Sequence, residues 1–366
     1  MSLTHANVAA FRMARHHLIQ PSRADLVSVA SDICGAQAQV LSAGEHSLAV
    51  RSTTLTRAEI HEALWKSRTL MRAFAQRQTL HLIPSAEFPI YIAALQRSRL
   101  AAVVRVMARC GVTAKGCDSI TESVLEELSA GPLTRQELTE RVKTKARGNA
   151  RKWMDLVWTV ARPAFVQGLV CYSPPRGAEA MYVRTDEWLP GLKAAEESEA
   201  KRIVAQRFFR AYGPARLQDL AKWSGWGVPE ARAAVDAIRD QLTEVVVDGK
   251  KALILAEDQQ ELEAARLKQD VVRLLPGFET YLLAHAGKDH LIAAAHYKKV
   301  YRPQGWISAT VLLNGRVAGV WTAEQRGSKL NIKIEAFEKL PRALRPQLEE
   351  QARRVGMFLE AEVAVV

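Results

Sequence analysis

A fixed succession of elements repeats three times along the chain, and this repeat restricts the possible folds more than any other feature. Each copy consists of a helix, a short polar break, a second helix, a third helix and then two strands joined by a turn. In the clearest copy the break is Gly131-Pro-Leu-Thr134, and Thr134 with Glu137 has the spacing of a capping box that starts a helix. Such a succession predicts tandem winged helix-turn-helix units.

Turn residues and polar breaks give the expected bounds of each copy. In the middle copy, residues 151–169 are the expected recognition helix and residues 170–183 the expected wing. In the third copy, Asp248-Gly249 joins two short apolar strands, which is a strong signal for a type I′ hairpin. The first copy is the least regular, with helices expected near 5–17, 24–34 and 57–66 and strands near 70–76 and 79–83.

From about Leu274 onward the apolar residues alternate with a period of two, as in half-buried strands. Asn314-Gly315 is a second hairpin signal, residues 342–355 have the pattern of a helix laid across the strands, and residues 358–365 are expected as a last strand. We therefore expect an α+β chain with three tandem winged helix-turn-helix units followed by a C-terminal β-rich module. The expected domains are residues 1–113, 114–192, 193–258 and 259–366.

The composition favours a polyanionic partner. Among the 366 residues, Lys plus Arg outnumber Asp plus Glu by 51 to 39, which gives a net charge of +12. The four cysteines have no ligand spacing, so we expect no zinc, iron–sulfur cluster, disulfide framework or other cofactor. No apolar run approaches the ~18 residues of a membrane span, and no signal-peptide pattern is present, so a cytoplasmic protein without a membrane partner is expected.

Two glutamines flank Ala38 directly after the helix expected at 24–34. Gly35 is typical of a helix C-terminus, so the residues that follow it are expected to be extended. In extended backbone, positions i and i+2 point the same way, and the carboxamides of Gln37 and Gln39 would share one face. On a continuing helix they would be about 200° apart. The alternative is that both are simply solvated glutamines at a helix end.

Five segments spread over nearly the whole chain carry a resemblance to a known family: Gly35-Ala-Gln-Ala-Gln-Val40, Arg68–Pro84, Leu274–Leu283, Lys299–Trp306 and Val311–Trp321. In these segments the chain resembles a bacterial family of winged-helix DNA glycosylases. Its Gln-x-Gln form is similar to the branch associated with self-resistance to the crosslinking natural product azinomycin, whereas the other main branch has Gln-x-Asp. The chain departs from the family at Gln78, where glycine is usual in an Arg-Gly-Thr-x-His string.

The resemblance implies hydrolysis of an N-glycosidic bond in a concave DNA channel formed by the winged units, and it implies a barrel-like C-terminal module. A purine alkylated at N7 or N3 is a cationic leaving group, so its hydrolysis needs a positioned water and support for positive charge on the sugar. Gln37 and Gln39 can hold such a water, but neither is a strong base, which limits the substrates to activated adducts. No lysine stands out as a Schiff-base nucleophile, so a monofunctional glycosylase is expected.

Three groups of residues are candidates for DNA contact. Arg77, Thr79 and His81 alternate at a period of two, and one strand face near the glutamines would carry all three. The alternative for His81 is a structural histidine bonded to backbone, and for Arg77 a surface arginine. The other two groups lie at the start of the middle recognition helix and before the Gly305-Trp306 turn: Arg147, Arg151 and Lys152, and Lys298, Lys299 and Arg302.

The tryptophans divide into two kinds. Trp306 stands among cations with Tyr297 and Tyr301, and it either stacks on bases or packs in a core. Four others lie on apolar stripes and are expected to be packing residues: Trp153, Trp158, Trp223 and Trp321.

The main rival interpretation is a winged-helix transcriptional regulator without enzymatic activity. Regulators usually bring a dimerisation segment, yet this chain has three unlike copies and no coiled-coil heptads. A small-molecule enzyme lacks support, since the chain has no Gly-rich phosphate loop, nucleophile elbow or metal set. We expect a monomer that acts on double-stranded DNA containing alkylated purines, and the sequence leaves open whether crosslinks, monoadducts or methylpurines are preferred.

Overall fold

In the computed structural model, which describes residues 3–21 and 25–365, helices alternate with short strands, so the α+β class is confirmed. The helices are α1 (His5–Arg15), α2 (Leu26–Asp32), α3 (Leu41–Ala49), α4 (Arg57–Trp65), α5 (Phe88–Arg109), α6 (Ala114–Leu128), α7 (Arg135–Lys145), α8 (Gly148–Leu156), α9 (Arg162–Val166), α10 (Thr185–Trp188), α11 (Glu197–Tyr212), α12 (Leu217–Ser224), α13 (Val228–Asp236), α14 (Gln259–Ala264), α15 (Thr280–Leu283), α16 (Tyr297–Val300) and α17 (Arg345–Phe358). The strands are β1 (Ala36–Gln37), β2 (Leu70–Phe74), β3 (Leu80–Pro84), β4 (Leu133–Thr134), β5 (Val170–Arg176), β6 (Glu179–Arg184), β7 (Leu242–Val247), β8 (Lys250–Leu255), β9 (Val272–Leu275), β10 (Thr310–Leu313), β11 (Arg316–Arg326), β12 (Lys329–Ala336) and β13 (Glu362–Val365). Among the residues described, no helix combines the length and apolarity that crossing a bilayer requires.

Local signals set several of these bounds. Thr134 accepts a hydrogen bond from the backbone N–H of Glu137 (3.2 Å), and the Glu137 carboxylate accepts one from the backbone N–H of Thr134 (2.8 Å), so the predicted capping box is confirmed. Asp248 and Gly249 form the turn between β7 and β8 with φ of 44° and 77°. Asn314-Gly315 does the same between β10 and β11 with φ of 51° and 82°. Positive φ at both central residues is what a type I′ turn requires, and both predicted hairpins are confirmed.

The chain divides into two compact units. The first comprises the described residues up to His61 and from Ala205 on, and the second comprises Glu62–Val204. The four domains proposed from the sequence, and the count of three winged units, stay predictions.

The second unit follows the element order predicted for the middle copy. Helix α6 is followed by β4, α7, α8 and α9 and then by the β5–β6 hairpin, with the strands in the order β4-β6-β5. Phe165 lies at the centre of the core of this unit. Its ring meets Phe74 and Tyr182 edge-on at 5.3 and 4.9 Å and stacks on Tyr172 at 5.3 Å. This aromatic cluster fixes the hairpin against the helices.

The recognition helix predicted for residues 151–169 is interrupted. Helix α8 ends at Leu156, and α9 begins only at Arg162. Pro163 has no N–H to donate to the carbonyl of Thr159, as a continuous helix would require. The Thr159 carbonyl instead accepts a hydrogen bond from the backbone N–H of Arg162 (3.3 Å), and its hydroxyl accepts one from that of Ala161 (3.3 Å). The prediction of one unbroken helix is therefore wrong.

The helix break changes the environment of one tryptophan. Trp158 lies in the break and is 61% exposed, so its predicted role as a packing residue is wrong. The other three tryptophans on apolar stripes are buried as predicted: Trp153, Trp223 and Trp321. Trp306 is 50% exposed and meets the Phe278 ring edge-on at 4.9 Å, so it is neither fully packed nor fully free.

The C-terminal part of the first unit contains a five-stranded sheet in the order β13-β12-β11-β10-β9. Neighbouring strands are antiparallel except β12 and β13, which are parallel. The sheet curls into half a barrel and stays open, with β9 and β13 at its edges. Helix α17 packs on it through Ala352 and Val355. This helix runs to Phe358, so the last strand is shorter than predicted and starts at Glu362.

No sequence pattern predicts α3. Every residue from Gly44 to Ala49 is buried, so the helix has no polar face to give a helical period in that stretch. Gly44 and two serines also lower its intrinsic helix propensity. The helix matters here because it packs directly on the segment that carries the two glutamines.

Candidate active site

The turn after α2 places Gln37 on extended backbone. Asp25 starts α2, and its carboxylate accepts hydrogen bonds from two backbone N–H groups at 2.9 and 3.0 Å. Cys34 (φ 57°) and Gly35 (φ 90°) then adopt left-handed conformations that end the helix, and β1 follows at once. The prediction that the helix stops before Gly35 and gives way to extended backbone is confirmed.

Three hydrogen bonds fix the backbone of this segment. The Thr280 hydroxyl accepts a hydrogen bond from the Gln37 N–H (3.2 Å) and donates one to the Gly35 carbonyl (3.3 Å). The Tyr212 hydroxyl donates to the Ile33 carbonyl (2.8 Å). Both side chains are buried, so water does not compete for these bonds. The backbone is therefore held on both sides of Ala36.

Helix α3 approaches the glutamine segment at a glycine. A Cβ atom placed on Gly44 would lie 2.7 Å from the Cβ of Ala38 and 3.3 Å from the carbonyl oxygen of Gln37. Real Cβ atoms do not approach other atoms to 2.7 Å, so only glycine fits at this position without movement of the segment. Gly44 thus allows α3 to act as a close backing for the glutamines.

A buried ion pair holds Glu279, the residue directly before Thr280. Arg51 and Glu279 are both fully buried, and their side chains meet at 2.5 Å. Ser47 of α3 donates to the second Glu279 oxygen (3.0 Å), and the first oxygen also accepts the Tyr281 N–H (2.9 Å). A buried carboxylate with several donors is held rigidly because leaving any of them unpaired is costly. The network links α3 to the start of α15 and so orients Thr280.

The two glutamines differ in exposure. Gln37 is 5% exposed, whereas Gln39 is exposed, and Ala36 and Ala38 between and before them are fully buried. Gln39 lies in a bend beyond the end of β1, so the shared face expected for the two carboxamides stays a prediction. The alternative of solvated glutamines at a helix end does not fit Gln37, since it is buried.

The segment before β3 differs from the predicted strand. Arg77 (φ 55°) and Gln78 (φ 59°) are both left-handed and lie in a 3₁₀ turn, and β3 begins at Leu80. Of Arg77, Thr79 and His81, only His81 lies on the strand, so the prediction of one strand face with all three is wrong. The left-handed φ of Gln78 is a conformation that favours glycine, which accounts for glycine at this position in the family that the sequence resembles.

His81 has the surroundings of a structural histidine. It is 1% exposed, its Nδ1 lies 2.9 Å from the Thr79 carbonyl oxygen, and its Nε2 lies 3.4 Å from Nη2 of Arg77. Burial, and then the charge of Arg77, hold the pKa of His81 well below its ordinary value, so the ring is neutral. Nδ1–H therefore donates to the carbonyl, and Nε2 accepts from Arg77. His81 positions Arg77, while DNA contact by Arg77 and Thr79 stays a prediction.

The comparisons with known proteins agree on one family. The model of the family described as "DNA glycosylase AlkZ-like" matches residues 30–358. The chain belongs to the AlkZ-like DNA glycosylase family. A Streptomyces sahachiroi protein named "Interstrand DNA cross-link repair glycosylase" is 33% identical over 337 residues, which cover 88% of each chain. The solved structure of Streptomyces sahachiroi DNA glycosylase AlkZ matches with a TM-score of 0.85 at 29% identity and covers 100% of both chains.

Family membership decides between an enzyme and a transcriptional regulator. Proteins of this family are DNA glycosylases, so the chain is an enzyme, and a transcriptional regulator without activity does not fit. The match over the full length also supports the α+β fold with its curled C-terminal sheet.

The first basic group of this AlkZ-like glycosylase lies at the start of α8 in the second unit. Arg147 is the N-terminal capping position, and Arg151 and Lys152 follow in the helix. All three are exposed, and none makes an ion pair with another residue of the described ranges. They are available for phosphate, and their contact with DNA stays a prediction.

The second basic group lies on and after α16 in the first unit. Lys298 and Arg302 are exposed, and within residues 3–21 and 25–365 they have no ion-pair partner. Lys299 differs because its ammonium group lies 2.7 Å from the Glu335 carboxylate. The charge of Lys299 is thus already partly compensated, and Lys298 and Arg302 are the better candidates for phosphate contact.

The residues that fix the glutamines were not identified from the sequence. Glu279 and Thr280 lie inside the Leu274–Leu283 segment that carries the family resemblance, and this resemblance was the one available signal. Arg51 and Gly44 lie in or next to α3, whose pattern predicts no helix. In the second unit, Arg99 is buried and donates to the carbonyls of Phe74 and Ala75 at the base of the turn before β3.

The cysteines behave as small apolar residues. Cys34, Cys117 and Cys171 are buried and Cys110 is partly buried, and burial raises the pKa of Cys171 to about 12. In the part of the chain that the structure describes, no three His, Cys, Asp or Glu side chains gather as they would around a metal ion. The expectation of a cofactor-free enzyme stays a prediction.

Proposed function

We propose that this AlkZ-like protein is a monofunctional DNA glycosylase that hydrolyses the N-glycosidic bond of N7-alkylated purines, including bulky adducts and interstrand crosslinks. The observation that carries the proposal is the Gln37-Ala38-Gln39 segment, whose backbone is fixed by Thr280 and backed by Gly44. The name of the Streptomyces relative, which refers to interstrand crosslink repair, supports crosslinks as substrates. We further propose a role in self-resistance to a DNA-alkylating natural product.

In this proposal the two carboxamides position the hydrolytic water. An N7-alkylated purine leaves as a neutral base, and positive charge develops on the sugar. A carboxamide oxygen can accept a hydrogen bond from water while its NH₂ group donates elsewhere, so two carboxamides can hold one water in a single orientation. Positioning alone can supply a large part of the rate enhancement when the leaving group is already activated.

The carboxylates nearest to this segment are poorly suited to act as a general base. Glu45, next to Gly44 on α3, is fully buried and lies 3.0 Å from Nε of Arg57 and 2.9 Å from Nε2 of His61. Glu279 is paired with Arg51. Both carboxylates are fully buried and already hydrogen-bonded to basic side chains, so neither is available to take a proton from the hydrolytic water. The substrates are therefore limited to cationic bases, and uracil and normal bases are excluded.

The substrate is double-stranded DNA that contains the alkylated purine, and the enzyme acts as a monomer. The net charge of +12 and the two exposed basic groups support binding through phosphate contacts with little sequence preference. Arg77 and Thr79 are proposed as further DNA contacts, with His81 holding Arg77 in place.

Product chemistry tests this proposal directly. The purified protein is incubated with three matched duplexes that contain an azinomycin crosslink, one N7-methylguanine or one uracil, and abasic sites are counted. We expect abasic sites with the two alkylated duplexes above the spontaneous rate and none with uracil. The Gln37→Ala/Gln39→Ala double variant serves as the control for spontaneous depurination. No excess of abasic sites over this control in either alkylated duplex would contradict the proposal.

A further inference from the structure

The break between α8 and α9 leaves an apolar surface in the second unit. Trp158 is 61% exposed and Val106 of α5 is 54% exposed, and both line the same surface hollow. Large apolar side chains that share one exposed surface usually mark a binding site, whereas single ones need no explanation. Neither the Gln37-Ala38-Gln39 segment nor the two basic groups account for this surface.

A hollow of about 460 Å³ opens beside Trp158. Its walls include Val103 and Met107 of α5 and Trp153 of α8, so they are mostly apolar. Such walls suit a flat apolar ring and do not suit a bare phosphate, which needs several donors. The shape and polarity of the hollow thus point to an aromatic ligand.

One buried donor in the walls of the hollow has no acceptor. Trp153 is 2% exposed, and its indole Nε1–H makes no hydrogen bond within the described part of the chain. A buried N–H without a partner is costly, so a ligand whose acceptor displaces the neighbouring side chains and reaches Nε1 would be stabilised by this donor. The missing partner is a carbonyl oxygen or a ring nitrogen, and nucleobases carry both along their edges.

A polar pair borders the same hollow. Nη2 of Arg162 donates to Oε1 of Gln78 at 2.9 Å, and the Arg162 guanidinium lies 4.5 Å from the centre of the Phe74 ring. The backbone at Gln78 is left-handed, with φ of 59°. The Gln78 NH₂ group has no acceptor among the described residues and can donate to a ligand. Together they form a hydrogen-bonding edge beside the apolar walls.

The charge around the hollow matches a nucleic acid. The Arg135 guanidinium lies 5.4 Å from the centre of the Trp158 ring. It covers one face of the indole, and the other face is left for a base to stack on. Arg105 and Arg109 flank Val106 on α5, and both are exposed without an ion pair in the described ranges. A cation over an exposed aromatic ring is typical of surfaces that bind unstacked bases together with their phosphates.

We propose that this hollow binds one unstacked nucleobase of the DNA substrate, which stacks on Trp158 and meets Trp153 and the Gln78–Arg162 pair at its edge. The proposal rests on DNA as the substrate and is independent of the roles of Gln37 and Gln39. Trp158 is a binding residue in this proposal. The hollow holds a base that has left the DNA double helix, and neither this base nor Trp158 takes part in the hydrolysis.

The test compares three duplexes that differ at one position. One is fully paired, one carries a single extrahelical thymine, and one carries an extrahelical abasic residue at the same place. We expect the protein to bind the extrahelical thymine about 10-fold more tightly than the abasic bulge, a factor that corresponds to ~1.4 kcal/mol and lies within the range for one stacked base. Trp158→Ala should abolish this difference, and Trp158→Phe, which keeps a ring, should retain most of it. Gln78→Gly should reduce the difference while keeping the ring and easing the left-handed backbone.

Controls separate a binding effect from misfolding and from loss of catalysis. Trp158 is largely exposed, so Trp158→Ala should unfold near the wild-type temperature, and Met357→Ala removes a comparably exposed apolar side chain from α17 and should leave the difference intact. Single-turnover excision of N7-methylguanine at saturating protein should stay near wild type in Met357→Ala. Equal affinity of the wild type for the two bulged duplexes, or an undiminished difference in Trp158→Ala, would overturn the inference whether or not excision occurs.

Discussion

At the scale of single residues, Gln37 is positioned through its backbone. Its N–H is bound by Thr280, and the carbonyl two residues earlier is bound by the same hydroxyl. With the backbone fixed, the side chain retains only its own torsions, which reduces the entropy lost when it orders a water. Removing the Gln37 side chain and loosening the backbone that carries it should therefore lower the excision rate by separate routes.

We expect Gln37→Ala and Gln39→Ala each to lower single-turnover excision of N7-alkylguanine by roughly 10²- to 10⁴-fold, the range typical of a positioned catalytic group. DNA affinity should stay near wild type in both. Because both side chains act on one water, the double variant should be scarcely slower than the slower single variant. Near-normal rates in both single variants would place the catalytic residues elsewhere.

Thr280→Val keeps the shape of the side chain and removes both of its hydrogen bonds to the glutamine segment. The Gln37 N–H would be left buried without that partner, which costs about 1–3 kcal/mol. We expect excision to fall by roughly 10-fold or more with little change in DNA affinity. Thr280→Ser restores the hydroxyl and should recover most of the rate. Equal rates in the Val and Ser variants would mean that this hydroxyl does not position Gln37.

At the scale of elements, α3 acts as a backing for the glutamine segment because it carries glycine at the point of contact. In an exposed helix, Gly→Ala is stabilising by about 1 kcal/mol. At Gly44 the added Cβ would lie 2.7 Å from the Cβ of Ala38. We expect the free-energy cost of this steric clash to exceed the gain in helix propensity.

We therefore expect Gly44→Ala to lower the unfolding temperature and to slow excision through displacement of the glutamine segment. Ser42→Ala is the matched control, since Ser42 is exposed on the same helix and the change raises helix propensity without a new contact. Thermal unfolding and single-turnover excision measure both effects. A Gly44→Ala protein as stable and active as the control would show that α3 can move away freely.

Elements that depend on local signals could be predicted, and those that depend on distant contacts could not. The Thr134 capping box and the Asp248-Gly249 and Asn314-Gly315 turns require only a few adjacent residues, and all three are present as predicted. Helix α3 is buried from Gly44 to Ala49, so its period is hidden there. The break before α9 is an exception, since Pro163 is a local signal for it but the apolar pattern across it looks continuous. The conformation after Gly35 was predictable, whereas its anchor Thr280 lies too far along the chain to be paired with it by spacing.

At the scale of the whole molecule, the excess of positive charge should govern DNA affinity through counterion release. Lys298→Ala should flatten the slope of log Kd against log salt by about one unit, as expected for one lost phosphate contact. Lys299→Ala should have a smaller effect, because Glu335 already lies 2.7 Å from its ammonium group. Binding titrations over a range of salt concentrations measure both slopes, and an unchanged slope in Lys298→Ala would remove this group from the interface.

Stability should fall in mild acid because several histidines are buried in the neutral form. Burial is the main cause that lowers the pKa of each, to about 4 for His46 and about 2 for His290. Below the unfolded value of about 6.5 the unfolded chain binds more protons than the folded chain, so the free energy of unfolding decreases as pH falls. The histidines concerned are the buried His16, His46, His81 and His285 and the half-buried His290.

His46 offers a test of this pH dependence. Its ring stacks on Phe358 at 5.7 Å and meets Trp321 edge-on at 5.9 Å, so His46→Phe keeps a ring between these two aromatic side chains while removing the titratable group. Between about pH 6 and pH 4.5 the free energy of unfolding should fall less steeply in His46→Phe than in the wild type, by about 1.4 kcal/mol per pH unit. Denaturant titrations at several pH values give both slopes. Parallel slopes would mean that His46 is protonated in the folded protein.

The two hydrogen bonds of Thr280 also limit how the glutamine motif can be moved between proteins. They join residues 243 and 245 positions apart, so the three-residue motif near one end of the chain depends on a turn near the other. Transplanting Gln-Ala-Gln into an unrelated winged helix would supply the side chains without the hydroxyl that fixes them and without the glycine-bearing helix behind them. A successful graft would have to carry two separate pieces of the chain, the motif with α3 and the start of α15, which makes this motif a poor module for engineering and a sensitive reporter of whether these distant segments have come together.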